Sequence, residues 1–141
     1  MIARRAWPAL LPPVLGLLLA ASAGAAGGIS VTRGPDTLVF GNCVPSLLVE
    51  NGAAETIDYL QVDLALLLGN GQERIVELKS AYREGVLHPV PPGGRATLTQ
   101  HLDTSLALGA PCGEVKGRRV VATVCEAAGG RSCAGSVTVR P

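Results

Sequence analysis

From Tyr59 to Gly71 the chain reads YLQVDLALLLGNG, with Leu60, Val62, Leu64, Leu66 and Leu68 at every second position before a Gly-Asn-Gly break. Successive side chains of a strand point to opposite faces, so alternation this long describes a strand with one face in a core. Leu60, Leu64, Leu67 and Leu68 also satisfy a helical spacing. The strand is the consistent choice, because Gly69-Asn70-Gly71 suits the positive φ of a hairpin turn and the neighbouring segments alternate as well.

Those neighbours extend the pattern along the chain. ISVTR places Ile29 and Val31 on one face, and after a Gly34-Pro35-Asp36 turn TLVFG does the same with Leu38 and Phe40. These read as two pieces of a first strand or two short edge strands. Leu47 and Val49 are in phase in VPSLLVEN, as are Val76, Leu78 and Tyr82 in ERIVELKSAY, whose tail KSAYREG reads as a short helix or irregular crossing. LHPVPPGG is too rich in Pro and Gly for a central strand and reads as a crossover. RATLTQHLD sets Ala96, Leu98 and Leu102 inward and Thr97, Thr99, His101 and Asp103 outward, and RRVVATVC and GSVTVR close the pattern. The fold class is all-β: a two-sheet antiparallel sandwich of about seven strands.

The N-terminus bears on the compartment. Arg4 and Arg5 precede an apolar run, Ala9 to Ala21, and then the small residues SAGAAGG, the layout of a secretory signal peptide over residues 1–26 cleaved near Ala26. The run falls short of the roughly 20 residues that span a bilayer, and Pro12-Pro13 interrupts it, so no membrane insertion is expected after cleavage. Residues 27–141 then form one domain, exported to the periplasm or beyond the cell. Loss of Arg4 and Arg5 takes Lys plus Arg from 12 to 10 against 11 acidic residues, a balance that does not steer a chain to nucleic acid. Loss of Trp7 leaves Phe40, Tyr59 and Tyr82 as the aromatics, a thin supply for stacking bases or sugars. In an exported chain Cys43, Cys112, Cys125 and Cys133 read as two disulfides, for which three connectivities exist. Zinc sites and redox centres favour Cys-x-x-Cys spacings, which are absent, so no metal and no cofactor are expected.

LLVENGAAETIDYLQVDLAL, VPPGGRATLTQHL and RRVVATVC together resemble the B, C, E and F strands of bacterial secreted immunoglobulin-like domains. The antibody-type core Trp beside a B-to-F disulfide is missing. The resemblance implies that strands B and F run in the same direction in facing sheets. Cys43 before B and Cys112 before F then share one end, and Cys125 and Cys133, between F and G, share the other. A Cys43–Cys125 bridge would have to span a strand of roughly 20 Å, whereas bonded cysteines keep their Cα atoms within about 7 Å. The implied pairs are therefore Cys43–Cys112 and Cys125–Cys133.

Little else invites chemistry. His88 precedes Pro89 in the crossover, His101 stands two residues before Asp103, and a Ser105, His101 and Asp103 arrangement lacks any recognisable oxyanion loop. No catalytic residue is assigned and no enzyme activity is expected. The basic run KGRR, with Lys116, Arg118 and Arg119, could meet an acidic partner, although such a run is also an ordinary solvated strand entry. The expected function is a non-catalytic exported module that binds an unidentified protein or supports an envelope assembly. The rival is a secreted inhibitor that presents the Cys125–Cys133 loop to an enzyme, with Arg131 projecting from it.

Overall fold

The computed structural model describes residues 27–80, 82–83, 86–100 and 108–141, with the backbone alone for 82–83 and 86–87. The proposed signal segment, His101, Asp103 and Ser105 lie outside them. The chain is all-β: β1 (Ile29–Arg33), β2 (Thr37–Val39), β3 (Asn42–Val44), β4 (Ser46–Asn51), β5 (Ile57–Leu68), β6 (Glu73–Ser80), β7 (Tyr82–Arg83), β8 (Val86–Leu87), β9 (Arg95–Thr99), β10 (Val115–Ala127), β11 (Arg131–Ser132) and β12 (Val137–Arg140).

Eight strands hydrogen-bond into one sheet in the order β11-β10-β5-β6-β9-β4-β1-β12, while β2-β3 and β7-β8 form small ladders of their own. The sheet curls into a half-barrel, which differs from two separate stacked sheets. Among the described residues its two halves join where β6 pairs β9 at Lys79↔Thr99 and Ser80↔Leu98. Every pairing in the large sheet is antiparallel except β1 with β12, which run parallel from Ile29↔Val137 to Thr32↔Arg140. β7 and β8 are a short antiparallel pair, so the described backbone between Tyr82 and Leu87 is extended where a helix or irregular crossing was expected.

The core follows the alternation. Leu60, Val62, Leu64, Leu66 and Leu68 are all buried, which settles residues 57–68 as strand. They pack with Ile29 and Val31 of β1, Leu47 and Val49 of β4, Val76 and Leu78 of β6 and Leu98 of β9. The curl is what lets both halves contribute to one apolar interior. Gly34 lets β1 turn into the following loop: its amide donates to the Ser46 carbonyl at 2.9 Å, and a Cβ there would lie 2.4 Å from Ser46 Oγ. Asn51, buried at the end of β4, donates through Nδ2 to the carbonyls of Glu55 and Val90 and accepts the Ala53 amide on Oδ1. One satisfied amide thus fixes both the β4–β5 loop and the Pro-rich crossover.

The β2–β3 hairpin departs from the inward pattern. Its β3 strand buries Cys43 and Val44, but Leu38 of β2 is 62% exposed and Phe40 at the turn 100% exposed, in a ladder that lies outside the large sheet. Phe40 and Gly41 make the turn with φ of 49° and 77°. Two positive φ values mark the hairpin turn that Asn-Gly fits best, and a bulky residue at the first position is strained. Phe40→Asn is therefore expected to raise the unfolding free energy by about 1 kcal/mol in urea titrations. A loss of stability would mean that the ring has a packing role.

Candidate functional site

The long strands β5 and β10 run from one end of the half-barrel to the other, and each end carries a disulfide. At the first end Cys43 and Cys112 are bonded with Cα atoms 4.6 Å apart, and at the other Cys125 and Cys133 are bonded at 4.9 Å. These are the pairs that the immunoglobulin resemblance implied.

At the Cys43–Cys112 end Asp36 gathers two guanidinium groups on one oxygen. Arg118 Nη2 donates to Asp36 Oδ2 at 2.5 Å and Arg33 Nη2 donates to the same oxygen at 2.8 Å. The Arg33 side chain is largely exposed, whereas those of Arg118 and Asp36 are only 6% and 11% exposed. Arg118 comes inward because β10 places it opposite Leu66, whose side chain faces the core. Asp36 Oδ1 and Arg118 Nη1 are both buried without a hydrogen-bond partner among the described residues. Asp36 also brings a carboxylate within 4.8 Å of both Cys43 and Cys112 sulfurs. Those sulfurs are bonded to each other, so neither is a thiolate able to ligate a metal, and the group acts as a structural clamp.

The sequence-derived binding residues do not converge. Arg118 is committed to Asp36, Arg119 pairs with Glu73 at 2.9 Å on the outer face of the sheet, and Lys116 Nζ donates to the Gly113 carbonyl at 2.7 Å. Arg131, on the far side of the Gly129-Gly130 turn, forms an ion pair with Glu55 of the β4–β5 loop and so ties the Cys125–Cys133 loop back to the body. His88 is exposed in the crossover.

The outer face of β10-β5-β6 combines aliphatic and polar side chains. Leu67, Ile75, Val121 and Val124 are exposed there. Beside them Tyr59 Oη donates to Gln61 Oε1 at 2.5 Å, and Gln61 Nε2 donates to Asp63 Oδ1 at 2.7 Å. Lys79 Nζ bonds Glu77 at 2.9 Å. That hydrogen bond holds the Lys79 pKa above its ordinary value against the smaller opposing effect of burial.

β10 also defines an edge. Along its 13 residues it pairs with β5 on one side, but on the other β11 covers Glu126 and Ala127 alone. Among the described strands none lies against the outer edge from Val115 to Val124. This edge was not evident in the sequence, since RRVVATVC reads equally well as a central strand. At the Cys125–Cys133 end a cavity of about 360 Å3 opens between the β4–β5 loop and the disulfide.

These features define the chain as an all-β domain with a disulfide at each end, and among the described residues no helix is long and apolar enough to cross a membrane. It is similar in structure to IrmA from Escherichia coli, with a TM-score of 0.54 and 13% sequence identity over 80% of this chain and 91% of that one. At that identity the likeness is one of fold. No family profile and no curated protein matches the sequence.

Proposed function

We propose that the chain is an exported, non-catalytic, immunoglobulin-like module that binds another protein by strand addition along the outer edge of β10. The observation that carries this reading is the stretch from Val115 to Val124, which among the described strands has no partner on its outer side, a row of backbone donors and acceptors that includes the exposed Val121 and Val124. Register shifts at Val115/Gly117 and Val120/Ala122, together with the inward Arg118, interrupt the edge. Interruptions of this kind discourage indiscriminate pairing and favour a partner whose strand matches the twist. The immunoglobulin-like reading finds support in β4 and β10, which run in the same direction in opposite halves of the sheet, as strands B and F would. Export finds support in the two disulfides, which persist in oxidising compartments. The inhibitor reading is less favoured, because Arg131 is engaged by Glu55.

A photo-crosslinking residue at Val124 should capture a defined envelope protein, and one at Thr138, on the opposite edge strand, should not. With the crosslinker at Val124, Val121→Glu on the same edge should reduce capture at least tenfold without changing the melting temperature. Equal capture from both positions, or no effect of the Glu variant, would refute the β10 edge as the binding surface.

A further inference from the structure

At the Cys43–Cys112 end the fold gathers more donor atoms than a disulfide needs. A carboxylate oxygen of Asp36 and the sulfurs of Cys43 and Cys112 all lie within 4.8 Å of one another. The Thr37 carbonyl oxygen stands 3.6 Å from Cys112 Sγ. A tetrahedral zinc ion with bonds of about 2.3 Å to sulfur and about 2.1 Å to oxygen sets neighbouring sulfur and oxygen ligands about 3.6 Å apart, so this carbonyl already has ligand spacing. Asp36 offers the second oxygen. Its Oδ2 accepts from both Arg118 and Arg33, whereas Oδ1 is buried and has no hydrogen-bond partner among the described residues. Two sulfurs and two oxygens thus meet in one place, and what keeps the sulfurs from a metal is the bond between them. No comparable group surrounds Cys125 and Cys133 among the described residues.

We propose that the reduced form of the domain binds one zinc ion here, through the thiolates of Cys43 and Cys112, Asp36 Oδ1 and the Thr37 carbonyl oxygen. A thiol reductant opens the site: two of its thiols give up two electrons and two protons and become a disulfide, while Cys43 and Cys112 become thiols. Zinc then displaces both thiol protons to solvent as it binds. Two thiolates and a carboxylate carry three negative charges, and the ion leaves one. Arg118, whose side chain is only 6% exposed, balances that charge from the other oxygen of the same carboxylate and holds Asp36 in place, the role of an outer partner to a ligating group. The sulfurs must move apart and Asp36 must close in by about 1 Å to reach zinc bond lengths. The β2–β3 hairpin shares no ladder with the large sheet, so it can follow that adjustment without breaking the sheet. This site uses no part of the outer edge of β10, so it does not depend on the strand-addition reading.

The test uses the Cys125→Ala/Cys133→Ala protein, which keeps Cys43 and Cys112 as its cysteines, with cobalt(II) as the spectroscopic probe for zinc. After anaerobic reduction by dithiothreitol and removal of the reductant, one equivalent of cobalt(II) should produce the thiolate-to-metal charge-transfer and visible bands of a tetrahedral site, and one equivalent of zinc should bleach them. Zinc should raise the melting temperature of the reduced protein and leave that of the oxidised protein unchanged. Adding Asp36→Ala and Arg118→Met in the same background removes the carboxylate together with the charge that relies on it, and should weaken cobalt binding roughly tenfold or more. Reduced protein that takes up no stoichiometric cobalt, oxidised protein that gives the same bands, or an unchanged affinity in the Asp36 variant would each overturn the proposal. So would binding with no rise in melting temperature, because the metal would then sit on the unfolded chain.

Discussion

Replacing Cys43 and Cys112 together by alanine is expected to destabilise the domain by about 4 kcal/mol, against about 2.5 kcal/mol for Cys125 and Cys133, from the loop-entropy dependence on chain closure. The first bond joins residues 69 apart in sequence and the second residues only 8 apart. The difference is reinforced by location. Cys43 sits in the β2–β3 hairpin, which shares no ladder with the large sheet, and its amide donates to the Ala110 carbonyl at 2.8 Å. Without the bond the hairpin depends on that contact and on Asp36. For a domain of this size the extra 1.5 kcal/mol or so corresponds to roughly 6–12 °C in melting temperature. Equal melting temperatures for the two double variants would show that loop closure does not govern their stability.

Removing the Asp36 carboxylate should have an effect of similar size. Asp36→Ala leaves the Arg118 guanidinium buried against the core without a counter-charge, a situation that costs about 3–5 kcal/mol. Arg118→Ala should cost less, because Asp36 keeps its ion pair with the exposed Arg33. The asymmetry is the diagnostic result. Combining Asp36→Ala with Arg118→Met should recover most of the loss, since an unbranched apolar side chain fills the space of the arginine stem with no charge to satisfy. Urea titrations of the three variants decide it. Additive losses in the double variant would mean that the two side chains act separately.

The Asp36–Arg118 pair also marks where the sequence stops being legible. Alternation located β5 and its buried face, since each of five apolar residues had the same consequence for a core. The same reasoning fails on β10. Counting back from the buried Cys125 by twos makes Thr123, Val121 and Arg119 inward, but the extra residue between Val120 and Ala122 reverses the phase, so Val120 and Arg118 turn in while Val121 and Arg119 turn out. A bulge has no composition signal in VKGRRVVATVC strong enough to place it. Arg118 therefore read as one member of a solvated basic run, and its partner, 82 residues away, was out of reach of any local pattern. The hairpin misleads in the opposite sense. Leu38 and Phe40 alternate as a core strand would, yet both are exposed, in a ladder that lies outside the large sheet. The disulfide pairs were within reach because they depend only on which strand ends coincide, a property that survives the merging of two sheets into one curled sheet.

The parallel contact between β1 and β12 has a consequence for the order in which the sheet can close. One long edge of β1 is occupied by β4, close by in sequence, and the other by β12, more than a hundred residues further on. During folding, β1 keeps the backbone hydrogen-bonding groups of that second edge unmatched until Val137–Arg140 dock against it. A folding intermediate in which β12 has not docked leaves the β1 edge open to amide exchange, and the folded domain does not. The four residues of β12 thus decide whether one whole side of β1 is paired or open.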